Sequence, residues 1–131
     1  MSDDNPIETR TSTIFLDEHG IIIITMKNCG LIDEYDVIDA NFVIRFKANQ
    51  KPAYKLLEAN ADWDLNEKAK ARVEMENSKI YTAARAIVVS NKLKATVLKY
   101  LQKLSKKEFP QKFFTSKEEA HKWLLELKNK K

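Results

Sequence analysis

Apolar residues along this chain recur with two different periods, and the switches between them mark out nine elements. "STIFLDEHGIIIITM", residues 12–26, sets two β-branched segments around Asp17-Glu18-His19-Gly20, where the glycine can take the positive φ of a tight turn. That pattern predicts a β-hairpin. Its second arm is apolar at every position from Ile21 to Ile24, as in an interior strand covered on both faces. After "KNCGLI", Asp33 can cap a helix whose first turn carries Glu34 and Asp36, acids set against the positive end of the helix dipole. Tyr35, Ile38, Phe42 and Phe46 follow at spacings of 3, 4 and 4, which predicts one inward apolar face through about residue 49. "NQKP" ends that helix, and "AYKLLEA" (53–59) predicts a third strand.

"NADWDLNEKAKARVEMENSKI" reads as a loop entering a second helix near Leu65 or Asn66, with a thin apolar face of Ala69, Val73 and Ile80. "RAIVVS" (85–90) is a fourth strand, and Ser90 or Asn91 can cap a third helix carrying Leu93, Val97, Leu101 and Leu104. Pro110 closes that region, because proline cannot continue a helix. "QKFFT" gives a short strand, and Ser116 with Glu119 three residues later forms a capping box. The last helix presents Ala120, Trp123, Leu124 and Leu127 on one side. The order is β-β-α-β-α-β-α-β-α, an α/β chain whose alternation after the hairpin implies mostly parallel strands with right-handed crossovers. Residues 1–10 are polar and are expected to be a frayed tail on a single domain, 1–131.

Composition narrows the picture. A chain of 131 residues, 44% hydrophobic and 32% charged, suits one core with a solvated exterior. The acidic "MSDDNP" start predicts no secretory leader, and the longest apolar run, "IIII", is far too short for a membrane span. The lone Cys29 fits a reducing cytoplasm. The net charge of +4 is unevenly spread: nine acids face two bases in the first 40 residues, and ten face 21 thereafter. Lys92, Lys94, Lys99, Lys103, Lys106 and Lys107 could attract nucleic acid. Nucleic-acid binders normally cluster arginine and aromatics on one face, and this chain has only four arginines, so the expectation is instead that these lysines solubilise helices.

Candidate chemistry is sparse. With only Gly20 and Gly30, no glycine-rich phosphate loop can be written. His19, Cys29 and His121 have no metal-ligand spacing, so no metal and no cofactor is implied. Asp33, Glu34, Asp36 and Asp39 serve as caps and dipole partners on a solvated face, and His121 is a half-exposed helix residue rather than a base. An enzyme is therefore not expected. One loop stands out, "ANADWDLN" (59–66), after the third strand, where open parallel sheets place ligands beyond the strands' carboxyl ends. Trp63 between Asp62 and Asp64 is either a recognition anchor or a lid folded onto the core.

The hairpin, the acid-started helix, "RAIVVS" followed by "NKL", and the ending "P-x-x-F-F-T-S-K-E-E-A-H-K-W-L" together resemble the small bacterial SpoIIAA-like (STAS-like, Sec14-related) domains over about residues 12–128. Phe114, Ser116, Glu118, Glu119, Ala120, Trp123 and Leu124 carry the most specific part of that likeness. The resemblance implies a four- to five-stranded mixed sheet, helices mainly on one face, and a role as a regulatory or protein-interaction module. In the antagonist members of that group a serine at the start of the second helix is phosphorylated. "NADWDLNEKA" offers no serine or threonine there, so that switch is not carried over.

The expected interaction surface comprises Asn60, Asp62, Trp63, Asp64 and Asn66 with Ser90 and Asn91 at the next helix start. The partner would be another protein or a second copy of the chain. The rival reading is a carrier of a small apolar or nucleotide ligand between sheet and helices, motivated by Phe42, Phe46, Phe113, Phe114 and Trp123.

Overall fold

The computed structural model describes residues 3–91, 93–104 and 108–130. Eight strands and four helices follow one another as β1 (Asp3–Glu8), β2 (Ser12–Leu16), β3 (Ile21–Met26), β4 (Gly30–Ile32), α1 (Glu34–Lys47), β5 (Ala53–Glu58), β6 (Trp63–Leu65), α2 (Glu67–Met75), β7 (Thr82–Val88), α3 (Ala95–Lys103), β8 (Gln111–Phe114) and α4 (Lys117–Asn129). Six strands make the main sheet in the order β1-β2-β3-β5-β7-β8. β1, β2 and β3 pair antiparallel, and β3, β5, β7 and β8 are parallel. β4 and β6 form a separate two-stranded parallel ribbon.

The hairpin turn forms as the sequence predicts. Gly20 adopts φ +82, its amide donates to the Asp17 carbonyl at 3.1 Å, and the Asp17 carboxylate accepts the amides of His19 and Ile21. The Ile21–Ile24 run is buried on both sides because helices cover both faces of the sheet. α1, α2 and α3 lie on one side, and α4 alone packs on the other against Leu56, Ala84 and Ala86. The small side chains of Ala84, Ala86 and Ala120 let α4 approach closely, and Trp123 meets Phe114 with ring centroids 5.6 Å apart.

Four expectations need correction. Residues 3–8 are not a frayed tail but an edge strand on β2, with a register irregularity in the stretch from Asp3 to Ile7 that contains Pro6. Its polar sequence hides it, because an edge strand needs no alternating apolar face. That strand brings the main sheet to six strands rather than four or five. The third helix starts at Ala95 with Lys94 as its N-cap, which makes no side-chain capping bond; Ser90 and Asn91 lie before it in a turn closed by the Leu93 amide on the Ser90 carbonyl.

The fourth correction concerns α1, which is rotated from the expected orientation. Val37 and Ile44 face the sheet, while Tyr35, Phe42 and Phe46 are 67%, 70% and 64% exposed. "EYDVIDANFVIRFK" carries two apolar stripes. The aliphatic one, with Ala40 and Val43, allows closer contact with Ile14, Ile22 and Ile24 than three aromatic rings would.

Candidate functional site

The parallel register aligns Ile22 with Lys55, Lys55 with Arg85, and Arg85 with Gln111 across neighbouring strands. Register partners point to the same side of a sheet, so this row faces α1 and α3, and two cations stand side by side on β5 and β7. Between the row and the helices lies a cavity of about 160 Å³. Its walls include Ile24 and Leu57 of the sheet, Val37 and Ile44 of α1, Trp63 of β6 and Leu101 of α3.

Lys55 is 8% exposed in the middle of an interior strand. No hydrogen bond or ion pair joins its ammonium to another described residue. Its Nζ opens on the cavity rather than being sealed from solvent, since the described side-chain atoms both sealed and unpartnered are Arg45 Nε and Thr82 Oγ1. Burial, reinforced by Arg85 and Arg45 and opposed by Glu76, pulls this amine down to about 7. Both neighbouring cations are engaged. Arg85 donates to Gln111 Oε1 at 2.6 Å and Asn77 Oδ1 at 2.9 Å and stacks on Phe109; burial pulls it down to about 10, so it stays charged at neutral pH. Arg45 pairs with Glu76 and lies over the Tyr81 ring.

Glu76, the C-cap of α2, also accepts from Arg72 at 2.7 Å and Asn41 at 3.0 Å, so its two oxygens are occupied. Asp36, which also lines the cavity, is held below the usual carboxylate range mainly by the Arg10 guanidinium, which donates to both its oxygens. Tyr100 completes the wall. Burial pushes its phenol up, so it remains protonated, and its hydroxyl donates to the Lys70 carbonyl at 3.1 Å.

The loops after β5 and β7 lie together at the carboxyl end of the parallel strands. Asp62 and Lys94 approach to 3.3 Å, joining the loop after β5 to the one after β7, and the Asp62 amide donates to Asn28. Asn60, Asp62, Ser90 and Asn91 are exposed. Asn66, one of the two positions expected near the start of the second helix, caps α2 through Ala69, and Asp64 accepts the Leu65 amide. Trp63 is different. It is 3% exposed and donates its indole N–H to the Ala59 carbonyl at 2.9 Å, so of its two readings the lid is the one it adopts. It belongs to the cavity wall rather than to the outer surface.

Asp33 and Asp36 cap α1 reciprocally, and Ser116 caps α4 by accepting the Glu119 amide. Burial pushes the Cys29 thiol up, away from a reactive thiolate. His121 is bound to Asp17 at 2.6 Å, tying α4 to the hairpin turn. Of the lysines considered for nucleic acid, Lys92, Lys106 and Lys107 lie outside the described residues, and Lys94 is paired with Asp62. No helix among the described residues is long and apolar enough to cross a membrane.

Sequence reasoning missed Lys55 and Arg85. The signal was present: a lysine inside "AYKLLEA" and an arginine opening "RAIVVS", each in a strand otherwise built for burial.

A mixed sheet with this strand order, three helices on one face and one on the other, defines a SpoIIAA-like α/β fold. The crystal structure of an uncharacterised DUF3478-family protein with a SpoIIAA-like fold, from Shewanella loihica PV-4, superposes with a TM-score of 0.57 at 16% identity, covering 95% of this chain and 98% of the other. The chain itself belongs to the DUF7793 family of domains of unknown function, whose model matches residues 14–128. No curated protein matches it.

Proposed function

We propose that this domain works by binding rather than by catalysis, as a cytoplasmic regulatory or protein-interaction module whose docking face is the outer stripe of α1. The observation that carries this is the exposure of Tyr35, Phe42 and Phe46 on one helical face. Aromatic rings presented together in this way act as interface anchors. The occupant is a second copy of the chain. Two copies of α1 packed antiparallel about a two-fold axis bring the exposed Asp33 at the start of one helix towards the exposed Lys51 beyond the end of the other. Sedimentation analysis of the wild type and of a Phe42→Glu, Phe46→Glu variant tests this. A dimer that becomes a folded monomer on substitution is expected; a wild type that stays monomeric at high micromolar concentration refutes it.

A second reading, that the domain holds a small ligand between sheet and helices, is favoured by the cavity over the Lys55–Arg85 row. The two are compatible, since the inward face of α1 forms one wall of the cavity and its outward face carries the aromatics. Native mass spectrometry of freshly purified protein tests the ligand reading. A co-purifying small mass, lost on denaturation, supports it; a bare chain that also takes up no added apolar probe counts against it.

A further inference from the structure

We infer that the cavity between the main sheet and α1–α3 is a binding site for small apolar monocarboxylates, with Lys55 Nζ as the group that takes the carboxylate. This rests on the ligand-holding reading and assigns the ligand's chemical class.

Size sets the first limit. A cavity of about 160 Å³ is on the scale of one that admits benzene, which matches a single small ring or a short apolar body. The walls set the second. Val37, Ile44, Leu57 and Leu101 offer an apolar body for the ligand, and the other cation in the lining, Arg85, is engaged with Gln111 and Asn77.

The charge at the floor sets the third. Lys55 is more than nine-tenths buried, lines the cavity and lacks a partner among the described residues. Glu76 is saturated by Arg45, Arg72 and Asn41, and Asp36 by Arg10, so neither carboxylate is free to neutralise it. The Arg85 side chain beside it, held by Gln111 and Asn77, adds positive potential at the same floor. An amine kept in an interior strand without an internal partner costs stability, and an apolar residue would serve the fold better. A singly charged carboxylate supplies the missing partner through a short, charge-assisted hydrogen bond.

The test titrates the full chain with benzoate and with its neutral counterpart benzyl alcohol, followed by calorimetry and by amide NMR shifts. Wild type is compared with Lys55→Met and, should that variant fail to fold, with Lys55→Gln. Wild type should bind benzoate about tenfold more tightly than benzyl alcohol, with shifts centred on β5, β7 and α1. The Lys55 variant should lose that preference while still binding benzyl alcohol. Equal binding of both probes by wild type overturns the carboxylate assignment and leaves the ligand-holding reading standing. Binding of neither probe overturns both. Undiminished benzoate preference in the Lys55 variant overturns the role of Lys55.

Discussion

Replacing Lys55 by methionine should stabilise the protein, and should do so in a pH-dependent way. Methionine keeps the unbranched stem that packs against the sheet and removes the amine. In the folded chain burial pulls that amine from the ordinary 10.5 down to about 7. Between those values the unfolded state binds the extra proton and the folded state does not, so wild-type stability rises with pH across the window. Below pH 7 the folded state carries a buried ammonium. At about 1.4 kcal/mol per pH unit this amounts to a penalty of up to about 5 kcal/mol. Lys55→Met removes it, so the variant should be more stable than wild type by several kcal/mol at pH 6, with the gap closing towards pH 10. Urea unfolding at five pH values, followed by circular dichroism, measures the difference. A variant no more stable than wild type at pH 6, or a gap that does not narrow with pH, would show that the amine is solvated or paired and that the electrostatic reasoning is wrong.

Trp63→Ala should cost about 3–5 kcal/mol in chemical denaturation, since it deletes a buried ring and the indole bond to the Ala59 carbonyl; an effect below about 1 kcal/mol would place the ring outside the core. Asn66→Ala should cost about 1 kcal/mol through loss of the α2 cap, whereas the same change at exposed Asn60 should be nearly neutral. Asp36 is held below its ordinary 3.8, chiefly by Arg10, so its contribution is present at neutral pH and is lost as pH falls through the folded value. Asp36→Asn should accordingly lower the melting temperature at pH 7 and flatten its fall between about pH 5 and pH 2; parallel acid limbs would contradict the pairing.

Much of the fold is legible in the sequence, because local rules and tertiary packing agree there. Gly20 and Asp17 build the hairpin turn, and Asp33, Asn66 and Ser116 each cap the helix that follows them. Leu93, Val97, Leu101 and Leu104 are buried as their spacing predicts. The failures occur where local pattern is ambiguous. α1 carries two apolar stripes, and only the shape of the sheet opposite decides that Val37 and Ile44 face in while Phe42 and Phe46 face out. β1 is recruited by the free edge of β2, a long-range event that a polar segment does not announce. Ser90 and Asn91 are good caps in the abstract, but a turn and the burial of Leu93 come first, and the helix begins later. The candidate site is the least legible part. Lys55 and Arg85 are 30 residues apart in sequence and meet only through the parallel pairing of β5 with β7.

The most direct test of the account is a methyl-labelled NMR titration with benzoate at pH 6.5, where the ligand is charged and Lys55 is largely protonated. Intermolecular NOEs are expected from the benzoate ring to the methyls of Ile24, Val37, Ile44 and Leu57, which line the cavity. Saturating shifts confined to the exposed lysines, with no NOE to those four methyls, would contradict it.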